Sequence, residues 1–284
     1  MIYIPIIGAL AQASSTIIEK IVLRIKKVNP RLYQTSAFFG VILVMLPLLY
    51  FFWKFESEAL ELKSIIIFFS VIIISTIANG FYFYSLKWEK VSNLEPARLL
   101  EPLFIIIIAF TFSFVISPVL YERNSNIIIP ALIAAIALIF SHIKKHHLDF
   151  NKYFTAAIIG SFLFAFELVL SKTILNYYSP ISFYFLRCYF IFLLSLAVFR
   201  PNFNKLNKKL RFQIILAAAL WVLFRISVYY GYLNLGVIKT TLILMFSHVF
   251  LYVFARVFLK EKLSWRNISA SVIIIGCIVY VTLI

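Results

Sequence analysis

The sequence predicts an all-α integral membrane protein with ten transmembrane helices. Of its 284 residues, 63% are hydrophobic and 13% are charged, and the mean hydropathy is +0.99. No soluble core could bury that much apolar surface. A membrane helix needs about 20 apolar residues, so ten helices would use roughly 200 and leave only short loops. The composition therefore excludes soluble enzymes, DNA-binding modules and secreted disulfide scaffolds.

Apolar runs separated by short polar breaks define the ten predicted spans. Lipid offers the backbone no hydrogen-bond partner, so runs of this length must be helical. The spans, in order, are Tyr3–Arg24, Tyr33–Trp53, Ser64–Leu86, Asn93–Ser117, Asn126–Ile143, Tyr153–Lys172, Ile181–Phe199, Phe212–Leu235, Thr240–Phe258 and Trp265–Ile284.

The net charge of +16 comes from 27 basic and 11 acidic residues. In a membrane protein such an excess lies in cytoplasmic loops and at anionic headgroups, so it implies a lipid bilayer and no nucleic-acid partner. Most of the basic residues follow odd-numbered spans, which would place those loops in the cytoplasm and both chain ends outside. We expect a multi-pass protein of the cell's inner or plasma membrane.

Weak internal repetition divides the chain into residues 1–147 and 148–284. Gly8 and Gly160 are each followed, twelve residues later, by a lysine and then by a turn that contains proline. An odd number of spans per repeat makes the second half enter the membrane from the opposite side. The sequence therefore predicts two inverted five-helix repeats.

Charged side chains inside the spans are candidate site residues, because they persist in lipid only when paired or facing a wet cavity. In the fourth span, Glu95, Arg98 and Glu101 recur at a spacing of three and share one stripe, with Pro96 and Pro102 beside them. They form either ion pairs at headgroup depth or a cavity wall. In the second case Arg98 would bind an anionic group and a glutamate would take a proton.

One face of the eighth span carries aromatic and basic side chains at helical spacing. Its members are Trp221, Arg225, Tyr229 and Tyr232. Arg225 lies well inside the span, so its charge needs a counter-ion or a polar ligand. It is either the counter-ion of Glu167 or Glu101, or it offers a planar fork to a carboxylate or phosphate of a solute.

Other spans contribute further polar candidates. These are Gln12 in the first span, Asn79 and Tyr82 in the third, Glu167 in the sixth and His248 in the ninth. His248 either packs in the helix or carries a proton, since histidine titrates near neutral pH. Glu101, Glu167 and His248 are therefore the candidates for proton coupling. Arg187 in the seventh span is expected to be structural.

The sequence predicts no metal site, cofactor or catalytic residue. Asp149 is the only aspartate and lies in a polar loop, and no glycine-rich phosphate loop is present. Cys188 and Cys277 fall in apolar segments and are expected to be buried thiols without a disulfide.

Glu101-Pro102 lies near the start of a helix that is followed by Glu122, and in the second half Glu261 precedes a final helix with Gly276. The order of these motifs across nearly the whole chain resembles the drug/metabolite transporter superfamily of EamA type. The resemblance implies EamA-type repeats, alternating access, a central site made mainly by the third, fourth, eighth and ninth helices, and cytoplasmic chain ends. That orientation is opposite to the one that the charges favour.

The sequence departs from the family pattern at two positions. His248 stands where the family usually has proline, and Lys260 replaces the usual glycine before Glu261.

A secondary transporter of a small polar metabolite is the function that these observations favour, with an amino acid or a related zwitterion or anion as the solute. The alternative is a phosphorylated or nucleotide-linked solute, favoured if Arg98, Arg187 and Arg225 line one cavity, or an amphipathic drug, favoured by an aromatic lining. A membrane-embedded lipid-modifying transferase is a third hypothesis, which a single loop aspartate disfavours. The oligomeric state is left open.

Overall fold

The computed structural model describes residues 3–89, 91–142, 151–258 and 265–283, without the side chains at 91–93, 95, 142, 251 and 254–258. The side chain of Glu95, and Asp149 and Glu261 altogether, lie outside this description. The described helices are α1 Tyr3–Leu23, α2 Pro30–Phe52, α3 Leu62–Trp88, α4 Val91–Arg98, α5 Leu100–Val115, α6 Ser125–His142, α7 Lys152–Leu175, α8 Pro180–Phe199, α9 Lys208–Asn234, α10 Val237–Leu244, α11 Phe246–Phe258 and α12 Trp265–Leu283.

Eight of the described helical segments are long and apolar enough to cross a membrane. Two further apolar regions, Ser125–Ser141 and Val237–Phe250, are helical but shorter. The chain is therefore an integral, multi-pass membrane protein. Many apolar side chains stay exposed on its outside, for example Phe51 and Leu283, as expected of a lipid-facing surface.

The two proline-containing turns begin α2 and α8. Asn29 Oδ1 accepts a hydrogen bond from the Leu32 N–H at 2.7 Å, and Ser179 Oγ accepts one from the Ser182 N–H at 3.0 Å. In each helix proline takes the first position, where its missing N–H costs nothing. The same local chemistry therefore starts the second helix of each predicted repeat.

The fourth and ninth spans, each predicted as one helix, are both interrupted. Leu99 separates α4 from α5, and Met245 separates α10 from α11. Near the first break, Pro102 has no N–H to offer the carbonyl of Arg98 four residues earlier. Apolar residues continue across the second break, from Leu242 to Phe246, so hydrophobicity alone did not reveal that interruption.

Two loop faces lie at opposite ends of the helices. On the first, which we call the basic face, Lys20 of α1 donates to Leu86 O at 2.5 Å and Lys87 of α3 donates to Leu23 O at 2.7 Å. Each lysine thus satisfies carbonyls at the end of the other helix. On the opposite face, Phe55 and Tyr178 form an isolated antiparallel bridge between the loops that follow α2 and α7.

The most extensive helix packing joins α1 to α9 and α3 to α7. At the first crossing, a Cβ at Gly8 would collide with the side chain of Ser227. At the second, a Cβ at Gly160 would touch Phe81 at 3.4 Å. Both glycines permit close approach of the helices around the centre of the protein.

Candidate functional site

A cavity of about 20 Å³ lies where α1, α3, α4, α5, α7 and α9 converge. That volume suits a single water molecule, so the protein is closed around its centre in this state. The lining residues are Gln12, Tyr82, Arg98, Glu101, Ala157, Gly160, Ser161, Phe164, Trp221, Phe224 and Arg225. The sequence singled out Gln12, Tyr82, Arg98, Glu101, Trp221 and Arg225, and the fold brings all of these together.

A second cavity, also of about 20 Å³, lies on the other side of Trp221 and Arg225. Asn79 and Arg187 are among the residues that line it. Trp221 and Arg225 therefore line both water-sized spaces.

Glu167 lies at the centre of a buried basic cluster. Its Oε1 is 2.7 Å from Arg187 Nη2 and 3.8 Å from Arg225 Nη1, and none of the three side chains is more than 4% exposed. Arg187 also donates to the hydroxyls of Tyr229 and Ser75. The counter-ion expected for Arg225 is therefore held more closely by Arg187, and Arg225 is the second cation.

Arg225 is surrounded by aromatic rings. Its guanidinium carbon is 5.2 Å from the ring centre of Trp221, 5.4 Å from Phe164 and 5.5 Å from Phe224. Rings at these distances stabilise a cation without neutralising it. Arg225 Nη1 and Glu167 Oε2 have no hydrogen-bond partner among the described residues. Arg225 therefore keeps a guanidinium donor, and Glu167 an acceptor, that no described residue uses.

Glu19 is a central residue that the site prediction left out. It is fully buried, its Oε2 accepts a hydrogen bond from Tyr82 Oη at 2.8 Å, and its Oε1 accepts one from Trp221 Nε1. The helical spacing from Gln12 through Thr16 to Glu19 placed it on the cavity side of α1. The carboxylate therefore fixes two residues that line the first cavity.

Arg98 reaches from α4 towards α1 and α3. Its Nη2 is 3.5 Å from Thr16 Oγ1, and its guanidinium carbon is 5.2 Å from the ring centre of Tyr82. Arg98 thus lines the first central cavity together with Arg225.

Four predicted residues line neither central cavity, and two of them, Glu167 and Tyr229, belong to the buried cluster around Arg187. Tyr232 is on α9 and lines a larger cavity on the opposite face. His248, on α11, lines neither central space in the described part of the chain. Among all residues that the structure describes, no group of three His, Cys, Asp or Glu side chains could hold a metal ion.

Comparison with known proteins finds a family match in the second half of the chain. Residues 151–283 match the EamA-like transporter family. A solved structure described as "Crystal structure of protein" shares the fold, with a TM-score of 0.67 over 99% of this chain and 96% of that one, at 15% sequence identity. No curated protein matches the sequence.

Proposed function

We propose that this chain, whose residues 151–283 match the EamA-like transporter family, is a transporter of that type and moves a small polar metabolite by alternating access. The solute is an amino acid or a related zwitterion or anion. The observation that carries this proposal is the mixed lining of the first central cavity, where Arg98, Arg225 and Glu101 face one small space. Positively and negatively charged side chains in one lining suit a solute that carries both a negative and a positive charge.

Alternating access is supported by the pattern of helix packing. We propose that residues 1–147 and 148–284 are inverted repeats, which pairs α1 with α7 and α3 with α9. Exchanging these partners turns the α1–α9 contact into the α7–α3 contact, and these are the two most extensive contacts. The interruptions in the fourth and ninth spans also become equivalent, and broken helices are a common device at transporter binding sites.

Within this site, Arg225 would bind the anionic group of the solute and Glu101 its ammonium group or a coupling proton. Glu167 is not assigned to the solute, because it already forms an ion pair with Arg187 at 2.7 Å. Proton coupling through Glu101, Glu167 or His248 remains a prediction.

The phosphorylated-solute alternative has one observation in its favour. Arg98 and Arg225 face the first cavity, and Arg187 and Arg225 face the second. However, Glu101 and Glu167 lie among these arginines, and a phosphate would have to approach both carboxylates. The zwitterion is therefore the better fit.

Orientation is proposed from charge: the basic face would be cytoplasmic and the opposite face, with both chain ends, would lie outside. Replacing exposed Trp53 on the opposite face with cysteine tests this in whole cells. Labelling by a membrane-impermeant maleimide is expected, and labelling only after permeabilisation would reverse the orientation.

Uptake of radiolabelled amino acids into proteoliposomes tests the function. R225Q and E101Q are each expected to lower kcat/KM for the transported amino acid by about tenfold or more, the usual scale for a charge-assisted contact. R24Q, at an exposed arginine of the basic face, is the matched control and should transport like wild type. Wild-type rates in both R225Q and E101Q would show that the central site is wrongly assigned.

A further inference from the structure

A cavity of about 400 Å³ opens on the opposite face, between the loop 116–124 and the ends of α7 and α9. We call it the outer cavity. Its volume is that of a small-molecule pocket, whereas each central cavity admits one water. Its polar lining residues are Tyr121, Glu122, Arg123, Asn124, Lys172, Tyr232 and Asn234.

Glu122 uses only one of its two carboxylate oxygens for hydrogen bonds to the described part of the chain. Its Oε1 accepts hydrogen bonds from the N–H groups of Ile238 at 2.9 Å and Lys239 at 3.3 Å, and so caps the start of α10. Its Oε2 is buried and has no hydrogen-bond partner within the described chain. An unpartnered carboxylate oxygen is costly to bury and can accept a bond from a cationic ligand.

Lys172 supplies the opposite charge on the same cavity. The residue is 7% exposed, and its Nζ has one hydrogen bond in the described structure, to Asn176 Oδ1 at 3.5 Å. That distance is at the limit for a hydrogen bond, so the ammonium retains donors for another acceptor. Arg123 is engaged elsewhere, by the backbone and side chain of Ser113 and the ring of Phe114.

We propose that the outer cavity is a second solute-binding site, in which Lys172 binds the carboxylate and Glu122 Oε2 the ammonium group of a zwitterionic amino acid. A zwitterion satisfies both groups, whereas a simple anion or cation would leave one of them unpaired. The solute assignment rests on the proposed function. Tyr232 lines the outer cavity and Tyr229, one turn earlier on α9, contacts Arg187, so this helix connects the outer site to the central cluster.

Charged thiol reagents test the electrostatics without reference to transport. In a chain with Cys188→Ala and Cys277→Ala, N234C places a thiol on the cavity wall at an exposed position. K172Q should slow its labelling by an anionic methanethiosulfonate several-fold, E122Q should slow labelling by a cationic one, and K172R should restore the first rate. Unchanged rates in both variants would overturn the assignment of the charges.

Solute binding is tested by the kinetics of uptake. K172Q is expected to raise KM about tenfold with kcat within about twofold, and K172R should recover most of the affinity. K54Q is the matched control, because Lys54 is exposed on the same face and pairs with Glu56 at 2.6 Å. If wild type transports an amino acid and K172Q keeps its KM, the outer site is wrong.

A distinct result would refute the proposed function instead. If wild type takes up no amino acid, the outer site is tested separately, by asking whether added amino acids protect N234C from labelling by the anionic reagent. Protection that K172Q removes supports the site, and absence of protection overturns it.

Discussion

Arg187 Nη2 lies 2.7 Å from Glu167 Oε1, and this ion pair joins α8 to α7 in the interior of the protein. Separating two such groups leaves an uncompensated charge in a poorly solvating environment, which is far more costly than removing both.

R187Q should therefore lower the stability of the protein by about 3–5 kcal/mol, because it leaves Glu167 without its closest cation. E167Q/R187Q should recover a large part of that loss. Thermal unfolding of the single and double variants in detergent measures the coupling. Effects that simply add would contradict a direct interaction between the two side chains.

Glu19 is expected to tolerate glutamine better than alanine. The amide oxygen of E19Q can still accept the hydrogen bond from Trp221 Nε1, whereas E19A leaves the donors of Trp221 and Tyr82 unpaired, at about 1–3 kcal/mol each. The midpoint of thermal unfolding should fall for E19A and change little for E19Q. Equal midpoints would show that these hydrogen bonds do not stabilise the site.

Replacing Gly236 with alanine is predicted to destabilise the protein. Its φ is +89°, in the region that favours glycine, and a Cβ would collide with the carboxylate of Glu122. G236A should destabilise the protein by about 1–3 kcal/mol. G276A is the matched control, because nothing lies within 4 Å of a Cβ there, and it should unfold at or above the wild-type temperature.

The bridge between Phe55 and Tyr178 is expected to separate during transport, since it joins the two proposed repeats on the opposite face. Facing residues of an antiparallel bridge lie close enough for a disulfide. F55C/Y178C should transport when reduced and lose most activity when oxidised, with recovery after reductant. Full activity of the cross-linked protein would mean that this contact stays closed throughout the cycle.

The stability of the protein should depend on pH through Glu122. Burial raises the pKa of this carboxyl above its ordinary value of 4.5, although the backbone N–H groups at the start of α10 oppose the shift. The folded protein then binds the proton more tightly than the unfolded chain, so this contribution to stability is full below pH 4.5 and is lost as the pH rises through the folded pKa. In E122Q, the free energy of unfolding should no longer decrease with rising pH through this carboxyl. If its pH dependence equals that of wild type, other groups cause it.

The amino-acid sequence by itself determined the membrane location and the helical character, because burial in lipid demands long apolar helices whatever their arrangement. The EamA-type resemblance is confirmed by the match over residues 151–283. Helical spacing also identified the side of α9 that carries Trp221 and Arg225 near the centre.

Only the tertiary structure decided which charges meet. Arg187 is 20 residues along the chain from Glu167, and nothing in local spacing favours it over Arg225 as the closer partner. The same holds for Glu19 with Trp221, and for Glu122 with the start of α10. These contacts depend on how helices distant in sequence cross, and a single sequence encodes that geometry through packing rather than through any local pattern.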